Sequence, residues 1–492
     1  MLFTNIAYLN SNFEVEKGFV GVEDSRITYV GPTDPTRQAP DISPKASAQP
    51  AAAQPAAAAQ PAAPAQTAAP AQTAVPAQTA VPAQPATPAQ PATPAQPVGH
   101  NYGVRYDGTG KLLLPGFYNI HTHAPMTLLR GYAENLSLQD WLNTRIFPFE
   151  AKITDAEAYP ATLLAIAEML RFGTVGCSDM YFFTEARIRA VLESGIKANL
   201  CQGLLVFDET TGYRQHATYK ENERLVHEYH NTADGRLRID LNIHSEYLSN
   251  PLMAAEVAEH ALELGVNNHL HISETLKEHE ECKQRRKGLT PTQYFEKLGV
   301  FKTPCTAAHC VYSEPADWEI FAERGVSVAA NPASNMKLAS GFAPVPQMLK
   351  AGVSVGLATD GMASNNNHNL FKELYLFATA YKGSQGDPTV VSPAEALAAA
   401  TVVGARSQGR SDCGSINEGA RADLMVLDVS QPWMQPVNDQ LNNIVFSAQG
   451  SDVQLTMVDG KVLYNNGIWP TIDIERVIHD TQNAADYIKA QL

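Results

Sequence analysis

Apolar and polar residues along the middle of this chain follow two alternating patterns. Short apolar runs predict buried strands, and the stretches between them, with apolar positions three or four residues apart, predict amphipathic helices. The predicted strands are 116–120, 173–179, 197–206, 238–244, 268–271, 305–309, 326–331 and 353–360. Predicted helices include 155–171, 186–195, 253–265, 315–325 and 370–382. Eight strands alternating with helices over residues 116–411 predict an α/β fold of the (β/α)8 barrel type.

Both ends of the chain read as short strands outside this repeat. The N-terminal ones are 2–10, 19–22, 26–30 and 111–114, and the C-terminal ones are 422–428 and 455–464. We therefore predict a small β-sandwich domain built from residues 1–38 and 102–115 together with 412–475. A terminal helix is predicted over residues 476–492.

Residues 39–101 differ from everything around them, because they cycle through Ala, Pro, Gln and Thr. Proline every few residues prevents a continuous helix or sheet ladder. We predict an extended, disordered insertion, tolerated at the surface because the cost of loop closure grows slowly with length. A spacer or partner-docking arm is the alternative interpretation.

Composition narrows the setting in which the protein acts. A formal net charge of −15 argues against binding of nucleic acid polymers. The six cysteines form no C-x-x-C pair, which is typical of reduced thiols in a cytoplasmic enzyme. Residues 1–12 lack a signal-peptide pattern, and no apolar run approaches the roughly 20 residues that span a bilayer. We expect a cytoplasmic protein without a membrane partner.

No G-x-G-x-x-G segment follows a predicted strand, which argues against dinucleotide binding.

Polar residues recur where the predicted strands end. The first strand runs into His121 and His123, whose i, i+2 spacing places both imidazoles on one side and within reach of one metal ion. His271, His309 and Asp360 end three later strands. Because these ends meet at one mouth of a barrel, the pattern predicts a metal-dependent hydrolase.

Each of these residues also has a purely structural interpretation. A lone His309, or His244 at the end of the fourth strand, could be a hydrogen-bonded core histidine. Asp360 could cap a helix, and Glu274 could be a carboxylate of a first helical turn. Their joint recurrence at strand ends favours the functional interpretation. Three helical histidines are predicted to lie on solvated faces: His227, His230 and His260.

Several longer segments carry a resemblance to a known family. They are PGFYNIHTHAPMTLLRGYAENLSLQDWL, IFPFE, HISETLKEH, AAHCVYSE, NPASNMKLASGFAPV, LATDGMASNNN and GSINEGARADLMVLD. Together they resemble the amidohydrolase superfamily, in the branch of 5′-methylthioadenosine/S-adenosylhomocysteine deaminases and related chlorohydrolases. The resemblance covers nearly the whole chain outside the Ala/Pro/Gln-rich segment.

The resemblance implies one divalent metal ion held by His121, His123, His271 and Asp360. Three imidazoles and a carboxylate suit Zn²⁺, and Fe²⁺ can use the same ligands. No strand-end lysine is placed to bridge a second metal, which favours a single ion. Such an ion lowers the pKa of bound water towards about 7.

The implied chemistry is hydrolytic deamination with general acid–base catalysis. Asp360 would take the proton of the attacking water, and His309 would orient or polarise the attacking oxygen. Glu274 would move a proton to the ring nitrogen of the substrate before ammonia leaves. These three residues form the predicted catalytic set.

The resemblance also implies substrate contacts. Glu150 suits ribose hydroxyls, Trp141 could pack on the purine or be an ordinary buried aromatic, and His244 would hydrogen-bond the nucleoside. Arg214 could pair with the carboxylate of a homocysteine tail. Glu274 and Asp360 would touch the substrate as well. Glu246, where the family leads us to expect proline, places an added negative charge near the mouth.

The leading hypothesis is a deaminase converting the adenine of S-adenosylhomocysteine, 5′-methylthioadenosine or adenosine to hypoxanthine. A deaminase or chlorohydrolase of guanine or a triazine is the alternative; ribose recognition through Glu150 and His244 separates the two. The zinc deaminases whose signature combines an H-x-E segment with P-C-x-x-C are excluded, since that combined signature is absent: the sequence contains no P-C-x-x-C segment. Non-enzyme alternatives are a scaffold presenting the Pro-rich arm and a metal-storage protein. By resemblance we expect a homo-oligomer.

Overall fold

A computed structural model describes residues 1–36, 102–206, 208 and 210–492. The disordered insertion predicted over residues 39–101 lies outside them. Within the described ranges, no helix combines the length and the apolar character that crossing a bilayer requires. All six cysteines are buried and free.

The strands fall into two groups along the chain. In order they are β1 (Leu2–Leu9), β2 (Val15–Glu23), β3 (Arg26–Gly31), β4 (Arg105–Asp107), β5 (Lys111–Pro115), β6 (Phe117–Thr122), β7 (Thr174–Tyr181), β8 (Lys197–Gln202), β9 (Leu237–Asn242), β10 (Asn268–Ile272), β11 (Cys305–His309), β12 (Ser327–Ala330), β13 (Ser354–Leu357), β14 (Leu424–Asp428), β15 (Val453–Val458) and β16 (Lys461–Asn465).

Helices separate the strands of the central group. They are α1 (Leu138–Trp141), α2 (Phe147–Glu150), α3 (Asp155–Arg171), α4 (Thr184–Ser194), α5 (Ala217–Tyr229), α6 (Thr232–Gly235), α7 (Pro251–Leu264), α8 (Leu276–Arg285), α9 (Pro291–Lys297), α10 (Pro315–Arg324), α11 (Pro332–Lys337), α12 (Val345–Lys350), α13 (Met362–Asn365), α14 (Leu370–Gln385), α15 (Pro393–Ala400), α16 (Val402–Ser407), α17 (Gln440–Phe446) and α18 (Ile474–Lys489). A π-helical turn, Leu142–Ile146, joins α1 to α2.

The eight predicted barrel strands are confirmed as β6–β13, which pair in chain order in one parallel sheet. The register is regular between β10 and β11, where Leu270 pairs with Ala307, whereas it shifts within the β6–β7 pair. The first and last strands meet where the backbone N–H of Asp360 donates to the carbonyl of His121 at 3.0 Å. The sheet is thus a nearly closed barrel, and the carboxyl ends of its strands lie together at one mouth.

Capping residues explain why the predicted helices form where they do. Thr154 accepts from the N–H of Ala156 at 3.2 Å, and Glu157 accepts from the N–H of Thr154 at 2.8 Å, which starts α3 at the predicted residue. Gly195 and Gly265, which the prediction placed at helix ends, adopt φ 86° and 66° as C-terminal caps of α4 and α7. The five predicted helices are confirmed.

The prediction that strands from both chain ends come together outside the barrel is confirmed, and these strands form one continuous sheet in the order β16-β15-β14-β5-β1-β2-β3, with β4 on β1. The two ends join where β5 and β14 run antiparallel, with Leu113 opposite Val426. Only Gly116 separates β5 from β6, and its amide donates to the carbonyl of Asp423 at 2.9 Å. This sheet therefore anchors the strand that carries His121.

A buried ion cluster ties the amino end of the barrel to the small sheet. The ammonium of Lys197 lies 2.5 Å from Asp423 Oδ1 and 2.6 Å from Asp459 Oδ1. The hydroxyl of Tyr118 donates to Asp423 Oδ2 at 2.5 Å. All four side chains are buried, so loss of one partner leaves an uncompensated charge.

Candidate active site

The two histidines at the end of β6 are each fixed through one ring nitrogen. His121 Nδ1 lies 2.8 Å from His269 Nε2. His123 Nδ1 donates to the carbonyl of Met180. Their free Nε2 atoms lie 3.5 Å and 3.3 Å from Oδ1 of Asp360. The predicted convergence of the first and the eighth barrel strands, β6 and β13, is present.

Asp360 is held in a constrained backbone conformation after β13, with φ 61°. Its Oδ2 accepts hydrogen bonds from Ser334 Oγ at 2.6 Å and Ser364 Oγ at 2.7 Å. Burial alone would raise the pKa of this carboxyl, but the adjacent imidazoles of His121 and His123 outweigh burial and hold the pKa well below its usual value. Oδ1 is therefore an anionic ligand atom directed at the imidazoles.

His271 completes the cluster from β10. Its Nδ1 donates to the carbonyl of His244 at 3.0 Å, which leaves Nε2 as the lone-pair nitrogen. The ring of His244 lies against that of His271, with centroids 4.6 Å apart. Burial lowers the pKa of His271 well below its usual value, so the ring is neutral and able to bind a cation.

The donor set fits a divalent metal ion. Ligand nitrogens of His121, His123 and His271 lie within 4.8 Å of one another, as do ligand atoms of His121, His309 and Asp360. Two atoms bonded tetrahedrally to Zn²⁺ at about 2.1 Å lie about 3.4 Å apart, close to the observed His–Asp spacings. Burial lowers the pKa of His121 to about 4, and its buried Nε2 has no hydrogen-bond partner. An orphaned lone pair at this point suits a metal bond.

Glu274 is positioned by a tight turn after β10. The carboxylate of Glu278 accepts from the N–H of Ser273 at 3.0 Å and from the N–H of Glu274 at 2.8 Å. Ser273 adopts φ 50°. Burial raises the pKa of Glu274, and burial together with the charge of Glu274 raises the pKa of Glu278 to about 7. Our sequence reasoning missed Glu278, although the helix-start pattern Thr275-x-x-Glu278 marks it.

His309 faces Glu274 across the mouth. It ends β11 with φ 71°, and its Nδ1 lies 2.8 Å from Asn335 Oδ1. Its Nε2 lies 3.9 Å from Glu274 Oε2. The amide nitrogen of Asn331 lies farther from the same Nδ1, at 3.3 Å. Because the closer amide oxygen of Asn335 only accepts hydrogen bonds, it favours a proton on Nδ1 of His309.

A cavity adjoins the cluster and encloses about 800 Å³ free of atoms, part of it open to solvent. Trp141, Glu150 and His244 line it. Burial raises the pKa of Glu150 to about 7, although its carboxylate accepts a hydrogen bond from Tyr181. Burial, and to a smaller extent the charge of His123, lowers the pKa of His244 to about 3. The ring of Trp141 forms part of the cavity wall, and its indole N–H donates a hydrogen bond to a backbone carbonyl.

Two sequence expectations about charge at the mouth require correction. Arg214 is not brought to the cavity, since its guanidinium pairs with Glu263 at 2.8 Å on neighbouring α7. Glu246 adds no free negative charge, because it is fully buried and paired with Arg285 at 2.5 Å and Arg286 at 2.7 Å. In both cases the partner lies on a helix distant in the sequence.

The helical histidines differ from one another. His227 is exposed, as predicted. His230 is half-buried, and its Nδ1 accepts from the N–H of Ile239 at 3.1 Å. The prediction is wrong for His260, which is buried with Nδ1 3.0 Å from the hydroxyl of Tyr213.

A (β/α)8 barrel with an imidazole–carboxylate metal site at its carboxyl mouth defines a class of metal-dependent hydrolases. The sequence pattern described as Amidohydrolase family matches residues 112–463. This chain therefore belongs to the amidohydrolase family.

Individual relatives cover most of the chain. A protein of Dictyoglomus thermophilum named 5-methylthioadenosine/S-adenosylhomocysteine deaminase is 42% identical over 381 residues, 77% of this chain and 88% of the relative. A 5'-deoxyadenosine deaminase of Methanosarcina acetivorans is 40% identical over 386 residues, 78% of this chain and 88% of the relative. The crystal structure of an adenosine deaminase from Xanthomonas campestris, with bound zinc, superposes with a TM-score of 0.73 at 31% identity and covers 78% of this chain and 88% of its own.

Proposed function

We propose that this chain is a metal-dependent deaminase that converts the adenine of S-adenosylhomocysteine, 5′-methylthioadenosine or adenosine to hypoxanthine and releases ammonia. The observation that carries the proposal is the placement of Glu274 and His309, 3.9 Å apart, beside the imidazole–carboxylate cluster and facing the cavity. The deaminase names of the relatives at about 40% identity support the same reaction.

His121, His123, His271 and Asp360 are the proposed ligands of one divalent cation. Zn²⁺ is the proposed ion and Fe²⁺ the alternative, because both accept imidazole and carboxylate. The zinc in the Xanthomonas campestris structure supports this choice. Such a cation lowers the pKa of water towards about 7 and supplies a nucleophile at neutral pH.

The remaining steps are proton movements by side chains. Burial raises the pKa of Glu274, which keeps the carboxyl protonated closer to neutrality and ready to donate to the ring nitrogen. Because the Nδ1 proton of His309 is directed at Asn335, Nε2 of this ring accepts a hydrogen bond from the attacking water. Asp360 takes the proton that the water loses and passes it to the departing amino group, which leaves as ammonia, while Glu274 recovers its proton from the newly formed hydroxyl group.

Glu150, His244 and Trp141 are the proposed nucleoside contacts. Glu150 accepts hydrogen bonds from the ribose hydroxyls, His244 hydrogen-bonds the nucleoside, and Trp141 packs on the purine. A guanine or triazine has no ribose to meet Glu150. Substitution Glu150→Gln should therefore lower kcat/KM for a nucleoside while leaving activity on a bare ring unaffected.

The proposal is tested by incubating the zinc-loaded protein with adenosine derivatives, guanine and a chlorotriazine and measuring released ammonia. We expect turnover of the adenosine derivatives. Activity confined to guanine or the triazine would rule out the proposed deamination of adenosine derivatives. Zinc binding without any turnover would favour a storage protein.

A single substitution tests the proposed proton donor. Glu274→Gln should leave zinc bound at one ion per chain and lower kcat at least about a hundredfold. A near-normal rate with bound metal would show that the proton is moved by another group. The cytoplasm and a homo-oligomeric state remain further predictions, to be checked by cell fractionation and by sedimentation.

A further inference from the structure

A second recess continues the cavity on the side of Glu150. This annex is defined by Phe147, Glu150, Phe182, Phe183, Gln202 and Leu205. It encloses about 1010 Å³ free of atoms, including open solvent. The annex shares Phe147, Glu150, Phe182 and Leu205 with the cavity but is lined by none of the proposed metal ligands. It therefore extends away from the metal site.

Aromatic rings form the walls of the annex. The rings of Phe182 and Phe183 have centroids 6.3 Å apart, and both side chains are half-buried. Gly203 leaves room for the first ring, because a Cβ at this position would lie 2.8 Å from Cδ1 of Phe182. Phe183 itself adopts φ 61°, a conformation uncommon for a bulky residue. The backbone is thus shaped to hold two phenylalanines at the recess.

The annex offers no cation to a charged ligand. Among the described residues, neither the lining of the cavity nor that of the annex contains Lys or Arg. Arg187 on α4 is fully buried and donates to the carbonyls of Phe182 and Tyr181, away from the recess. Arg145 and Lys152 near α2 are exposed, where water and salt weaken any ion pair.

We propose that the annex takes an uncharged, apolar substituent on the 5′ carbon of the nucleoside. This inference rests on the proposed function. Because Glu150 borders both recesses, a ribose held there presents its 5′ group to the annex. A methylthio group would contact the phenylalanine rings through apolar surface and sulfur. The carboxylate of a homocysteine tail would lose water without gaining a cation, beside the carboxyl of Glu150.

The first test compares kcat/KM for 5′-methylthioadenosine, 5′-deoxyadenosine, adenosine and S-adenosylhomocysteine, measured by ammonia release from the zinc-loaded enzyme. We expect 5′-methylthioadenosine to exceed both S-adenosylhomocysteine and adenosine by about tenfold or more. An equal or higher value for S-adenosylhomocysteine would overturn this inference and leave the proposed function intact. Deamination of none of the four would retire the proposed function itself.

A second test adds the missing cation. Gln202→Arg should raise the ratio of S-adenosylhomocysteine to 5′-methylthioadenosine turnover about tenfold or more, whereas the uncharged control Gln202→Met should not. Thermal unfolding shows whether both variants fold. If Gln202→Arg does not fold, Leu205→Arg takes its place. An unchanged ratio in folded arginine variants would show that the 5′ group lies elsewhere.

Discussion

The hydrogen bond between His269 and His121 gives the sharpest test of how the metal site is built. His121 is fully buried, and its Nδ1 lies 2.8 Å from Nε2 of His269, which is itself buried. This bond holds the Nδ1 proton and leaves Nε2 for the metal. His269→Leu removes the acceptor and leaves a buried N–H unsatisfied, at a cost of about 1–3 kcal/mol.

We therefore expect His269→Leu to weaken zinc binding about 10–100-fold, the range for loss of a partner that orients a metal-bound histidine. At about 1.4 kcal/mol per tenfold change, this range matches the cost of the unsatisfied N–H. His269→Gln should recover much of the affinity, because its amide oxygen can accept the same proton.

Competition with a chromophoric chelator at fixed pH measures the zinc dissociation constant directly. His260→Gln is the matched control, since His260 is also buried and hydrogen-bonded but contacts Tyr213 on the outer helices. It should leave the affinity unchanged. A change of less than about threefold in His269→Leu would refute the positioning role of His269.

Three further predictions concern stability and the inserted segment. Lys197→Met leaves Asp423 without its cation and Asp459 with only the more distant Arg421 at 3.4 Å, and should lower the free energy of unfolding by about 3–5 kcal/mol, measured by urea denaturation; a loss below about 1 kcal/mol would contradict the buried ion cluster. Burial raises the pKa of Glu373 to about 7 from 4.5, so the folded chain keeps a proton that the unfolded chain releases. The stabilising effect of that proton is complete below about pH 4.5 and is lost as pH rises through 7, so the wild type should lose stability over this interval more steeply than Glu373→Gln. Parallel pH profiles of the two proteins would argue against the raised pKa. Deleting residues 46–98 should leave kcat unchanged in the deamination assay, and a large loss would indicate that the segment contributes to the site.

Local signals explain why so much of the architecture could be predicted. Each barrel strand is a short apolar run, and His121, His123 and His309 follow directly from where those runs end. The predicted strand 305–309 coincides with β11. Gly195 and Gly265 mark helix ends for the same reason, since the left-handed cap conformation favours glycine.

Apart from Glu278, whose partners Ser273 and Glu274 are local, the residues that the sequence reasoning missed or misplaced are those whose role depends on distant partners. His269 and His271 have the same i, i+2 spacing as His121 and His123. Only the packed barrel shows that His269 contacts His121. Arg214 looked free for a ligand because Glu263 comes much later in the chain. Local pattern predicts where a side chain points along a strand, whereas pairing across the fold follows from tertiary packing.

The proposed chemistry depends on one cation bound by His121, His123, His271 and Asp360. Anomalous diffraction at the zinc absorption edge, from crystals of the zinc-loaded protein, tests it most directly. We predict one peak per chain, at about 2.0–2.2 Å from the three imidazole nitrogens and one carboxylate oxygen. A peak bonded to other side chains, or no peak near these four, would show that they do not form the metal site.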